Sequence, residues 1–198
     1  MKFFGVLWFT GFLLFCLQLT IRIVWLKRKG VILSTKNKSL KSVLTTGAIA
    51  IFFLLYFSEG LFHASLLSFS ILPGFIHQLL AIPAALHYFG AVFILVANVI
   101  LFFSLLAFRH SLRFGLQPNN LGKLVTTGIF SKSRNPFFLS INLLFIGNCL
   151  LFPSAFFIAV AVLTLVVVHL FILKEERFMR QHYGLEYQKF CNQVRRYF

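Results

Sequence analysis

Five long apolar runs, separated by short connections that hold nearly all the cations, dictate what this chain can fold into. A helix rises about 1.5 Å per residue, so roughly 20 apolar residues cross the hydrocarbon core of a bilayer. Residues 3–26, 43–58 (with a pattern that runs on towards 71), 86–108, 136–152 and 154–173 each read as such a span. The fourth, with 17 residues, is just long enough. A composition of 59% hydrophobic residues with 28 phenylalanines excludes a soluble domain. The first run follows Lys2 and continues through Leu26. That is too long for a signal-peptide core, and no small-residue cleavage site follows, so it counts as a span.

Charge sorts with the spans. The formal charge of +15 would suit a nucleic-acid binder, but the 19 Lys and Arg fall in blocks between apolar runs, so no nucleic acid is expected. One cation, Lys2, precedes the first span and one, Arg22, lies inside it, a turn from its basic end. The connections and tail then carry six (27–42), none (59–85), five (109–134), none (the Pro153 turn) and six (174–198). That alternation predicts an N-terminus outside and a C-terminus in the cytoplasm. The expected fold is an all-α polytopic membrane protein of about five transmembrane helices, with a C-terminal helical hairpin and an amphipathic cytoplasmic tail helix. It reads as one membrane domain over 1–198, three N-terminal spans in 1–108 and a site-bearing half in 109–198. The sequence does not set the oligomeric state.

Familiar chemistry is missing. Cys16, Cys149 and Cys191 are scattered and lack metal-ligand spacing, so neither a metal nor a disulfide framework is expected. The chain contains no G-x-G-x-x-G, Walker loop, H-E-x-x-H or C-x-x-C. It has no aspartate and four acidic residues, Glu59, Glu175, Glu176 and Glu186.

Two of those four sit side by side. Phe137 to Leu173 reads as two spans joined at Phe152-Pro153-Ser154, and such a hairpin starts and ends on one side of the bilayer. Arg134-Asn135-Pro136 and Glu175-Glu176 should therefore be neighbours. Asn135 is a favoured N-cap and Pro136 suits the first helical position. The helix N-terminus with Arg134 forms a candidate carboxylate or phosphate cradle, beside the plainer reading of a cap and a positive-inside anchor. Glu175-Glu176 is placed at the end of span five, where carboxylates oppose the helix dipole. A pairing of Glu176 with Arg180 at i,i+4 is the competing structural account. His169 lies within span five, one heptad before Glu176, and an intramembrane ionisable group is a site candidate. Glu59 and His63 read as an interface pair. In the tail, Tyr183, Tyr187, Phe190, Val194 and Tyr197 recur opposite Lys189, Asn192, Arg195 and Arg196. That pattern fits a helix on the inner leaflet or a cap packed on the bundle.

Four segments in order carry a resemblance: Leu124-Val125-Thr126-Thr127-Gly128-Ile129-Phe130, Ser133-Arg134-Asn135-Pro136-Phe137-Phe138, Glu175-Glu176-Arg177-Phe178, and Tyr183-Gly184-x-Glu186-Tyr187-x-x-Phe190. Over about 121–198 the chain resembles the isoprenylcysteine carboxyl methyltransferase and phospholipid methyltransferase superfamily of integral membrane enzymes. The resemblance implies an S-adenosylmethionine-dependent transferase acting on a lipophilic or lipid-linked acceptor. It also implies that Leu124, Val125, Phe130, Asn135, Pro136, Phe137, Phe138 and Glu175 line the cofactor.

Phe130 and Phe138 stand where the superfamily usually has tyrosine. Phe171 replaces an arginine that eukaryotic prenylcysteine enzymes use for the substrate carboxylate, so a smaller or differently charged acceptor is expected. Methyl transfer needs alignment more than acid–base chemistry. Arg134, then Glu176, are the candidate catalytic residues. Two alternatives remain open: an NADPH-dependent membrane reductase of sterol-reductase type, and a non-catalytic membrane scaffold.

Overall fold

The computed structural model describes residues 2–30, 40–108 and 124–197. The parts of the basic connections at 31–39 and 109–123 lie outside the described residues. Six helices follow in order: α1 (Lys2–Arg28), α2 (Leu40–His63), the single turn α3 (Gly74–His77), α4 (Ala84–Phe108), α5 (Pro136–Leu151) and α6 (Ala155–Gln193). Among the described residues α1, α4 and α6 are long and apolar enough to cross a membrane, and α2 and α5 contain shorter apolar stretches. The expected second span, 43–58, is longer at both ends. No proline or glycine-rich break interrupts the chain until beyond His63, so the helix continues to there.

Small residues let the helices approach closely, as packing within a bilayer requires. Gly90 of α4 meets Gly147 of α5, and Gly60 of α2 lies flat against the Trp8 indole of α1. Polar side chains join the same helices: Gln18 Nε2 donates to Asn98 Oδ1 (2.9 Å) and Asn98 Nδ2 to the Gly11 carbonyl (3.1 Å). Asn148 donates to the Tyr56 hydroxyl, tying α5 to the fully buried face of α2. Around these bonds Trp8, Phe12, Phe15, Tyr56, Ile94 and Phe157 form the main core.

Phe152, Pro153 and Ser154 turn the chain between α5 and α6, as the hairpin reading expects. Ser154 caps α6 by accepting from the Phe157 N–H (3.4 Å). The 64–83 connection lies over this end of the bundle, with the Leu80 N–H donating to the Pro153 carbonyl (2.7 Å). Under it Glu59 is fully buried and accepts from the Ser70 hydroxyl, while His63 packs on Phe152. Glu59 and His63, expected as a pair, lie near enough to interact electrostatically, while the hydrogen bond that Glu59 accepts comes from the connection.

The largest departure is in α6. Its apolar, bilayer-crossing part ends at Leu173, but the helix runs on without interruption past Glu175 and Glu176. These carboxylates are therefore in mid-helix, and the expected clash with a C-terminal dipole does not arise. At Gly184 φ is +50°, a conformation that L side chains rarely adopt, and it kinks the helix. The following segment folds back on the bundle, burying Tyr187 and Phe190 against Phe130. Of the two readings of the tail, the structure has the packed cap.

Candidate functional site

The hairpin brings the two polar clusters together. Arg134 Nη2 donates to Glu176 Oε1 at 3.0 Å and Arg134 Nε reaches the same oxygen at 3.3 Å. Asn135 Nδ2 donates to it as well (3.4 Å), and Arg196 Nη2 takes Oε2 at 2.9 Å. Glu176 is 3% exposed, and with Arg196 Nε also donating to Oε1 (3.2 Å), five bonds from three residues compensate a carboxylate that water barely reaches. Burial alone would raise the Glu176 carboxyl, but the bonds and charges of Arg196 and Arg134 outweigh it and hold the group below its ordinary value.

This hub is built by the tail as much as by the hairpin. Arg134 Nη1 donates to the carbonyls of Cys191 (3.1 Å) and Val194 (2.7 Å), and the Arg134 N–H donates to the Arg195 carbonyl (3.0 Å). A guanidinium has five N–H donors, and those four bonds to Glu176, Cys191 and Val194 leave one for anything else. Asn135 occupies the N-cap position of α5 with Pro136 in the first turn, as expected, yet its side chain caps nothing. It donates instead to Glu176 and to the Arg196 carbonyl (3.2 Å), so the first N–H groups of α5 lack a side-chain cap. Arg134 and Glu176, expected to be catalytic, brace each other. The expected pair of Glu176 with Arg180 does not form, and Arg180 is exposed.

Glu175 differs from its neighbour. It makes no hydrogen bond or ion pair among the described residues. Burial, with the adjacent Glu176 carboxylate, pushes its carboxyl up to about 7. The remaining residues expected to line a cofactor fall in two groups beside the hub. Leu124 and Val125 pack around Phe130, which meets Phe108 edge to face at 5.0 Å. Pro136 is buried at the start of α5, where Phe137 approaches Phe108 and Phe138 approaches Phe171.

Sequence reasoning missed Arg196. The helical pattern put it on the solvated face, but α6 ends at Gln193 and Val194 is extended, which rotates Arg196 inward. Tyr197 next to it bonds Nδ1 of His169 (2.8 Å). Below the hub a groove of about 510 Å³ opens between α5 and α6. Apart from Asn142, His169 and Tyr197, its lining is aliphatic, from leucine, isoleucine and valine side chains.

An all-helical membrane protein with a braced polar hub above an apolar groove is the class that fold and site define. A family model for phospholipid methyltransferase matches residues 85–186, just over half of the chain, from the start of α4 into the folded-back segment. The chain belongs to the phospholipid methyltransferase family. The match begins earlier than the motif-bearing stretch from 121, taking in all of α4 but its first residue. No curated protein and no solved structure matches it.

Proposed function

We propose that this chain transfers a methyl group from S-adenosylmethionine to a lipophilic acceptor, with the cofactor at the hub end and the acceptor arriving sideways from the bilayer. Family membership supports the reaction class. The single observation that carries the placement is Glu175, a half-buried carboxylate with no hydrogen-bond or ion-pair partner among the described residues, next in the chain to the Glu176 that Asn135 bonds at the uncapped start of α5.

These features fit the cofactor chemically. The Phe137 and Phe138 N–H groups offer a carboxylate the positive end of a helix. Glu175 offers an acceptor to ribose hydroxyls or an ammonium, while Leu124, Val125 and Phe130 supply an apolar wall. Asn135 and Pro136 fix where α5 begins. When bound, the sulfonium supplies an electrophilic methyl group. The protein's own contribution is to align the reactants and exclude water. Arg134 and Glu176 act as the frame that sets the spacing between α5, α6 and the tail.

The NADPH-reductase alternative calls for arginines free to meet cofactor phosphates. Arg134 and Arg196 are both committed to Glu176. Calorimetry of detergent-purified protein with S-adenosylhomocysteine and, separately, NADPH tests the proposal: binding of the first alone is expected, and binding of NADPH alone would reject it.

A further inference from the structure

The 64–83 connection carries its polarity the wrong way round for a loop in water. Leu66, Phe69, Ile71, Phe75 and Leu80 are each more than half exposed, from 54% to 78%. Ser70 and His77 turn inward instead: the Ser70 hydroxyl donates to the buried Glu59, and His77 Nδ1 donates to the Leu72 carbonyl (3.0 Å). Ser65, Ser68 and Gln78 are exposed, but none of them is charged. The chain has no Asp, Glu, Lys or Arg between Glu59 and Arg109. A surface that faces water seldom leaves so many large apolar side chains in one segment without a charge among them.

The backbone of the connection is served from within. The Leu66 and Leu67 N–H groups both donate to the Leu61 carbonyl (2.9 and 3.2 Å), and Leu72 N–H donates to Ser70 Oγ (3.0 Å). Ile76 N–H donates to the Pro73 carbonyl and Gln78 N–H to that of Gly74, both at 2.9 Å. Leu80 N–H meets the Pro153 carbonyl, which the hairpin turn leaves outside any helix. Irregular backbone is tolerated against lipid only where such partners replace water.

Depth agrees with this. The bilayer-crossing part of α6, residues 155–173, rises about 28 Å, close to the roughly 30 Å of a hydrocarbon core. With its Lys174 end at one boundary, the Pro153 turn lies at the other. The connection that covers the turn therefore falls in the interfacial layer.

We propose that the 64–83 connection is a lipid-docked cap. Leu66, Phe69, Ile71, Phe75 and Leu80 sink into the acyl chains just below the headgroups of the leaflet opposite the hub. Tyr88 and Phe89, exposed a turn into α4, carry the same apolar surface onto a bilayer-crossing helix. Aromatic side chains favour that boundary. This continuity selects lipid, rather than a second copy of the chain, as the occupant.

Nitroxide labels test the placement. With Cys16, Cys149 and Cys191 replaced by serine, a label is attached at Phe69→Cys or Phe75→Cys in phosphatidylcholine nanodiscs. Leu95→Cys, on the exposed face of α4, sets the lipid limit, and Lys189→Cys, exposed on the tail, sets the water limit. Collisions with oxygen, relative to a water-soluble nickel chelate, should be several-fold more frequent at 69 and 75 than at 189. A ratio equal to that at 189 overturns the proposal. Few collisions with either reagent would mean that a protein surface covers the patch, and also overturns it.

The unaltered chain gives a second reading. In bilayers of phosphatidylcholine with a diazirine on the acyl chain, illumination should leave lipid adducts within 64–83 as well as on α4. Adducts on α4 with none in 64–83 would place the connection in water and reject the cap.

Discussion

Gly90 and Gly147 face each other so closely that a methyl group added to either would come within 2.8 Å of the other's carbonyl oxygen. These contacts are backbone, which cannot swing aside, so the α4–α5 interface admits no larger residue. Gly147→Ala should destabilise the protein by about 1–3 kcal/mol, the usual cost of overpacking. Gly47→Ala, with nothing within 4 Å, is the matched control and should be neutral or stabilising. Thermal unfolding in one detergent compares them, and an equal response from both would show that the close approach has no energetic consequence.

Removing the hub's acceptor should be worse. With Arg134 and Glu176 side chains 9% and 4% exposed, Glu176→Ala leaves a buried guanidinium without its counter-charge. A loss of about 3–5 kcal/mol is expected, as for other broken buried pairs. Arg180→Ala, at the position four residues on, should cost little. The melting temperatures of the two variants decide whether Glu176 is anchored by Arg134 or by its own helix.

For the cofactor, Glu175→Ala should weaken S-adenosylhomocysteine binding by about 1.5–3 kcal/mol. Burial and Glu176 hold the Glu175 carboxyl at about 7, above its unfolded value. The folded state therefore keeps this proton over a range where the unfolded chain has lost it. The group's contribution to stability falls as pH rises from about 4.5 to about 7. Binding runs the other way. If the ionised form is the ligand, affinity should improve up to tenfold between pH 6 and pH 8, and Glu175→Gln should flatten that slope. Calorimetry at the two pH values is the check; an unchanged slope in Glu175→Gln would place the titrating group elsewhere.

Phe171 is exposed on α6, its ring against Phe138. With an aromatic side chain in place of an arginine, little activity is expected on a prenylcysteine carboxylate. Phe171→Arg adds a guanidinium able to hold a carboxylate bidentately and should raise that activity. Labelled S-adenosylmethionine with acetyl-farnesylcysteine, wild type beside variant, measures it. Robust wild-type turnover would mean that another residue already binds the carboxylate.

The cation blocks predict an orientation in the bilayer with the hub end in the cytoplasm. An alkaline phosphatase reporter, active only when exported, should be inactive when fused after Phe198, and one inserted in the cation-free 64–83 connection should be active. The reverse pattern would remove the proposed cofactor site from the compartment that supplies S-adenosylmethionine.

Much of this fold could be read from residue order. The apolar runs placed α1, α4 and α5 within two residues at each end, and the Pro153 turn alone was enough to bring Arg134 to Glu176. What stayed hidden depends on where a helix stops. Nothing in the periodicity of α6 marks Leu173 as the end of the apolar part but not of the helix. Val194 gives no local signal that the chain becomes extended there. That single change turns Arg196 and Tyr197 inward, so the two contacts that complete the hub and the groove were invisible. The burial of Glu59 likewise depends on the irregular 64–83 connection, which has no repeat to read.

Glu176 also links mutations that arise far apart in the gene. A lineage that loses this carboxylate is left with Arg134 and Arg196 crowded together and uncompensated, and it gains by neutralising one of them. Substitutions at 134, 176 and 196 should therefore be inherited as a set. Across a collection of descendants these positions should change together or not at all, while Arg180, which takes no part, drifts freely.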